Sequence, residues 1–399
     1  MNYMERIDNA LDQIRDEAKK MTREIHDNPE VGLQEFLACR LQCEFLEKHG
    51  FTIERNFCDI ETSYKACYKG AKPGPKIAML AEYDGLPGVG HGCGHNLIAM
   101  VATTAGIAMK EFADELGGEI YVIGTPAEET VGCKAMIADR GGFDDLDVVM
   151  MSHPGYFNME SMNTLAVKTV YFDFYGKPAH ASGFPQHGVN ALDAVINLFN
   201  MLNALRQQTQ DDARIHGIIT KGGDAPNIIP DHTQAYFFIR AAKNVYLEEL
   251  FEKVVKCAEG AALGTGCRLE VKLGEGQFCD TNSNKVLTAL NTKHMESMGI
   301  SMIRATDTPL AGSSDMGNAS YRCPGIQTIY DVTNLVPMAA HTEQFAEATG
   351  TDFAMEQSLI CAKGHVLTAI DLMSDPKHLE AIHEEFSKIS KRPADQNQK

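Results

Sequence analysis

Cys93, His95, Glu128, Glu129 and His153 are of the residue types that hold divalent cations or move protons. The first two lie in AEYDGLPGVGHGCGHN (81–96), the glutamates in GTPAEE and the last in SHPG. Thiolate, imidazole and carboxylate together form a donor set that zinc, manganese or cobalt accepts. Adjacent glutamates divide labour, because neighbouring side chains diverge. One of the pair can bind a cation while its neighbour faces substrate and shuttles a proton. Taken singly, each residue has a plainer reading: a small buried thiol, a helix-capping histidine, a solvated turn, a loop histidine before Pro-Gly. Their recurrence after successive apolar runs sets them apart.

Those runs read as the elements that would position the site. KIAMLAEY (76–83), EIYVIGTP (119–126) and DVVMMSHP (147–154) read as buried strands, and 97–116 and 131–141 as helices between them. Strands alternating with helices imply an α/β fold with a mainly parallel sheet covered by helices on both faces. In such a sheet, sites form beyond the carboxyl ends of strands, where Asp84, Cys93, His95, Glu128, Glu129 and His153 fall. Segments 4–20 and 33–48 read as amphipathic helices, with turn signals at Pro29 and Gly32. The texture changes after about 164. Strands at 165–176, 213–223, 234–242 and 267–274, with helices at 189–208 and 244–264, give the β-α-β-β-α-β order of a ferredoxin-like α+β unit. This predicts a domain at 165–276 inserted into a larger one made of 1–164 and 277–399. Helices at 282–299 and 351–373 and a strand at 326–332 complete the larger domain, and the tail KRPADQNQK (391–399) is expected to be disordered.

Bulk properties exclude several classes. A chain of 399 residues suits two domains better than one core, and a formal charge of −18 argues against a nucleic-acid partner. No apolar run reaches membrane-spanning length, and the charged N-terminus has no signal-peptide core, so no membrane partner and a cytoplasmic location are expected. The 11 cysteines include no CxxC pair, which argues against a thiol-redox enzyme built on Cys93.

The ordered strings AEYDGLPGVGHGCGHN, GTPAEE, SHPG, GKPAHAS, NIIPD and GSSDMGN resemble the dinuclear metallohydrolases that include aminoacylases and glutamate carboxypeptidases, the M20 peptidases, subfamily D. The resemblance runs from about residue 20 to 370 and is strongest to the branch of p-aminobenzoyl-glutamate hydrolase and N-acyl-amino-acid amidohydrolases. It implies two divalent ions, manganese or zinc with cobalt or nickel also admissible, held by Cys93, His95, Glu129, His153 and His341. It implies Glu128 as general acid/base, and a lid and dimerisation role for the inserted domain. By the same resemblance His180 of a partner subunit stabilises the oxyanion in a homodimer or higher oligomer, Asn227 and Arg240 hold a substrate carboxylate, and Ser313, Ser314 and Asp315 line the pocket or shape its turn. Where many relatives carry histidine two residues before the aspartate, Glu82 stands here, and Asn96 stands where many of the branch have aspartate. His91 is expected to have a structural role or to orient a ligand through a hydrogen bond. The implied activity is metal-dependent hydrolysis of an N-acyl amino acid, aminobenzoyl-amino acid or small dipeptide with a free carboxylate. The alternative is a non-catalytic or regulatory subunit of a hetero-oligomeric amidohydrolase.

Overall fold

The computed structural model describes residues 2–306 and 312–389; the tail at 391–399 lies outside the described residues. The chain divides into two compact units. Among the described residues, the larger takes 2–163, 281–306 and 314–389, and the smaller takes 164–280 and 312–313.

In chain order the larger unit begins with α1 (Tyr3–Asp27), α2 (Phe36–Lys48), β1 (Thr52–Arg55), β2 (Tyr64–Lys69), β3 (Lys76–Ala81), α3 (His95–Leu116), β4 (Glu119–Gly124), α4 (Cys133–Asp139) and β5 (Val148–Gly155). The smaller unit is β6 (Ala166–Tyr175), α5 (Ala191–Leu205), β7 (Arg214–Lys221), β8 (His232–Ala241), α6 (Asn244–Thr265) and β9 (Arg268–Leu273). The chain then returns to the larger unit with α7 (Lys285–Ser297), α8 (Met316–Ser320), β10 (Gly325–Asp331), α9 (Glu343–Thr349), α10 (Asp352–Ser374) and α11 (Pro376–Ser387).

The larger sheet has the order β1-β2-β4-β3-β5-β10. The pairs β3/β4, β3/β5 and β5/β10 are parallel, while β1/β2 and β2/β4 are antiparallel. The parallel part is apolar because both faces are covered. One face packs against α3, which is buried continuously from His95 to Met109. Gly106 lets α3 lie close: a Cβ there would meet Val122 Cγ2 of β4 at 2.5 Å. The opposite face buries Leu80, Ile123, Val149 and Met151 in a second cluster with Ile137 and Phe143.

The smaller sheet is wholly antiparallel, ordered β7-β8-β6-β9. Alternation along β8 turns Ala235, Phe237 and Ile239 toward α5 and α6, and their side chains share one core with Leu198, Leu202 and Leu250.

Several elements depart from the sequence expectation. The antiparallel pair β1/β2 is absent from it, because TIER is polar and mostly exposed and carries no apolar alternation to read. The short α8, α9 and the C-terminal α11 are likewise unanticipated. Helix α1 runs past the expected residue 20, because Met21, Thr22 and Ile25 continue its buried stripe.

Candidate metal and catalytic centre

The site is assembled at the carboxyl ends of β3, β4 and β5. Glu82, Tyr83 and Asp84 follow β3 and are all buried. The chain then turns through a tight loop closed by Leu86–Gly90 backbone pairing and reaches Gly94, which caps α3 in the left-handed region (φ 79°). A Cβ at Gly94 would lie 2.4 Å from Pro154 Cγ, so glycine is required there twice over. Cys93 and His95 flank this glycine, and so both project from the start of α3.

Asp84 organises the centre. Its Oδ1 accepts from His95 Nδ1 at 2.8 Å, and its Oδ2 accepts the Glu129 backbone N–H at 3.0 Å. The first contact fixes the His95 tautomer and leaves Nε2 free toward the site. His153 is fixed the same way: Nδ1 donates to its neighbour's carbonyl, Pro154 O, at 2.9 Å, and Nε2 lies 3.4 Å from Cys93 Sγ. Glu129 Oε1 lies 3.1 Å from His341 Nε2. His341 comes from the loop after β10, in the left-handed region (φ 66°), and its backbone N–H donates to Gly92 O at 2.8 Å. A non-glycine residue held at positive φ beside a reactive cluster stores strain of the kind found at functional positions. Glu35 anchors the glutamate loop from beneath. Its carboxylate accepts from the Ala127 N–H at 2.8 Å, with Ala127 itself at φ 57°, and from Thr62 Oγ1 at 3.0 Å.

Donor atoms of Cys93, His95 and His153 lie within 4.8 Å of one another, and so do those of Cys93, Glu129 and His341. Cys93 is common to both trios. His95, Glu128 and Glu129 form a third such group. His95 Nε2 and Glu129 Oε1 are buried without a hydrogen-bond partner, although acidic or imidazole atoms stand close by. These residues fit a divalent cation, by donor chemistry and by these unpartnered buried atoms. The electrostatics agree. Burial alone would lower the His95 pKa, but the carboxylates of Asp84 and Glu82 outweigh it and raise it, a negative potential that also favours a cation. Burial works against Asp84 ionising as well, yet His95 holds its carboxyl below the usual range. At Glu129, the close His341 imidazole and the nearby His95 outweigh burial and lower its pKa. The Cys93 thiol is pushed up by burial; a coordinating metal reverses this by deprotonating the thiol.

Glu128 is raised well above the ordinary carboxylate range, first by desolvation and then by Glu82, Asp315 and Glu129. It keeps an opening to solvent while these carboxylates crowd it. A carboxyl of that kind is suited to accept and return a proton near neutral pH.

Other residues hold the surrounding structure. Of the two roles open to His91, its contacts are those of the structural one. Its Nε2 lies 3.1 Å from Ile25 O, its ring stacks on His26, and burial pushes its pKa down to about 3, so it ties the loop to α1 as a neutral imidazole. Asn96 donates from Nδ2 to Thr349 O at 3.0 Å. The Ser314 hydroxyl is buried and accepts the Met316 N–H at 3.2 Å, while Asp315 binds Lys134, accepting its Nζ at 2.5 Å and its backbone N–H at 2.8 Å.

His180, Asn227, Arg240 and Ser313 belong to the smaller unit. His180 is exposed, and its Nδ1 accepts the Gly183 N–H at 3.1 Å, so a neutral ring carries its proton on Nε2 as an outward donor. Asn227 O accepts the Ala181 N–H at 3.0 Å, which pairs the two segments. Arg240, on the open face of β8, donates to Ser313 Oγ at 2.6 Å and lies over the Phe238 ring. Glu35 and Lys134 hold the site together and are not singled out by sequence reasoning, which notes Glu82 only as standing in place of a histidine. The EYD string at 82–84 is the available signal for Glu82; Lys134 carries none, because a lone lysine in a helix reads as solvated.

Residues 166–265 match the family model described as peptidase dimerisation domain. Across 94% of its length the chain is 34% identical to Xaa-Arg dipeptidase of Homo sapiens, covering 90% of that protein. It is 28% identical to a p-aminobenzoyl-glutamate hydrolase subunit of Escherichia coli, over 96% of this chain and 95% of that one. A crystal structure from Bacillus subtilis, described as a dinuclear metal-binding peptidase of the M20 family, superposes with a TM-score of 0.66 at 19% identity, covering 89% of this chain and 98% of the other.

Proposed function

The chain belongs to the M20 family of peptidases and amidohydrolases and is a hydrolase of amide or peptide bonds, and on that premise we propose that its substrates are small dipeptides or N-acyl amino acids with a free carboxylate. The observation that supports this most is the convergence of Glu128 on a cluster of Cys93, His95, Glu129, His153 and His341. In this reading two divalent ions, manganese or zinc, with cobalt or nickel also compatible, are held by those five residues and supply Lewis acidity and a water of lowered pKa. Cys93 serves both trios. Glu128 takes the proton from the attacking water and returns it to the leaving amine.

His180 donates from Nε2 to the developing oxyanion and comes from a second copy of the chain. Exposed Ile218 and Ile219 on edge strand β7 support association, since an open strand edge invites pairing. Arg240, with its planar fork, and Asn227 hold the substrate carboxylate, with Ser313 supporting the arginine and Ser314 shaping the turn. Among the described residues no helix is long and apolar enough to cross a membrane, and a cytoplasmic location is part of the proposal.

Higher identity to the dipeptidase than to the aminobenzoyl-glutamate hydrolase favours dipeptides, with a basic C-terminal residue the first to try. The alternative, a non-catalytic subunit, is disfavoured because Glu128 and all five candidate donors are present. The test is a substrate panel of Xaa-Arg and Xaa-Lys dipeptides, N-acyl amino acids and p-aminobenzoyl-glutamate, run separately with manganese and zinc. Turnover of a dipeptide supports the proposal. No turnover across the panel by the metal-loaded protein favours the non-catalytic reading.

A further inference from the structure

We propose that Glu82 is a further donor to the cation site, on the His95 side, in addition to Cys93, His95, Glu129, His153 and His341. The inference rests on the metal-dependent reading above. Glu82 follows β3 directly and is fully buried. Its Oε2 lies 3.1 Å from His95 Nε2. Two donors bound to one ion at about 2.0–2.2 Å stand roughly 3 Å apart, so the pair already has the spacing of shared coordination. His95 Nδ1 is committed to Asp84, which leaves Nε2 facing Glu82 with no hydrogen-bond partner.

The rest of the carboxylate is held in place. Lys134 Nζ lies 2.6 Å from Glu82 Oε1, as an ion pair rather than an aligned hydrogen bond, and 2.5 Å from Asp315 Oδ1. Asp315 in turn accepts the Lys134 backbone N–H at 2.8 Å, so the lysine is fixed at both ends. Charge balance alone would need one Glu82 oxygen. The other oxygen is buried, has no hydrogen-bond donor and is aimed at the imidazole nitrogen that itself faces the site. Only the His95 imidazole faces that desolvated oxygen, without an aligned hydrogen bond, and a cation bound between the two would satisfy both.

The test is titration of chelator-stripped protein with Mn²⁺, followed by calorimetry, on wild type, Glu82→Gln and Glu82→Asp, with circular dichroism to verify folding. In Glu82→Gln, one of two equivalents is expected to bind roughly 10–100-fold more weakly and the other as in wild type. Wild-type affinity for both equivalents in folded Glu82→Gln overturns the assignment and leaves the wider metal reading standing. Absence of Mn²⁺ binding by wild type removes both. If neither variant folds, a crystal structure of Mn²⁺-loaded wild type decides: a Glu82 oxygen at about 2.0–2.2 Å from an ion supports the proposal, and one outside coordination distance overturns it.

Discussion

Asp84 spends both carboxylate oxygens on neighbours, one orienting the His95 ring and the other anchoring the Glu129 backbone. Asparagine cannot serve both contacts, because its Nδ2 would face a donor. Asp84→Asn is therefore expected to weaken divalent-cation affinity or activity by about 10–100-fold with little loss of fold, read by metal titration beside circular dichroism. In the proposed mechanism Glu128 touches the reaction rather than the fold. Glu128→Ala should lower kcat by roughly 10²–10⁴ while metal content by elemental analysis stays near that of wild type; turnover close to wild type would remove Glu128 from the mechanism. These two residues show the limits of reading single positions. Cys93, His95, Glu128, Glu129 and His153 were legible because reactive types recur after successive apolar runs. His341 came only from resemblance, since its loop follows β10 with no local pattern. Asp84 was legible by the same strand-end position, whereas Glu35 and Lys134 act through contacts between segments distant in sequence, which spacing along the chain does not encode.

At the scale of elements, the parallel strands and α3 were readable because burial on both faces demands long apolar runs. Strands β1 and β2 were not, since β1 is an exposed polar edge strand and β2 beside it is short and only half buried, and α9 is too short to show a period. Helix α10 carries a different kind of information. Its His365 is fully buried, hydrogen-bonded to Ser152 Oγ through Nε2 at 2.5 Å, and faces the Asn291 amide donor with Nδ1 at 3.4 Å. Protonation would set two donors face to face, and burial lowers the His365 pKa to about 4. The unfolded chain binds this proton near pH 6.5 and the folded chain does not. Stability is thus full above about 6.5 and falls as pH drops toward about 4, by roughly 3 kcal/mol for this group. His91 acts in the same direction. Urea unfolding of the larger unit should show a lower midpoint at pH 5 than at pH 7, and His365→Gln should flatten that difference.

For the whole molecule, the proposed sharing of sites between two copies makes a sharp prediction. His180→Ala alone should cost roughly 10²–10³ in kcat, the usual cost of one oxyanion donor. Mixing inactive Glu128→Ala with inactive His180→Ala under conditions that exchange subunits should restore activity, because a mixed dimer pairs one intact Glu128 with one intact His180. Failure to recover, with exchange verified by native mass spectrometry, would confine each site to one chain. The route of the chain has a consequence in time as well. Apart from residues 312–313, the smaller unit is one continuous segment, 164–280, whereas the larger is interrupted by it. During synthesis the smaller unit can close its core as soon as residue 280 is free. The larger must wait for β10 to cover the edge of β5 and for α10 (Asp352–Ser374) to emerge and pack on α3. Through that interval the apolar flank of α3 and the open edge of β5 remain exposed, so the unit that carries the proposed site matures after the smaller one and is the one that most needs chaperone protection on the ribosome.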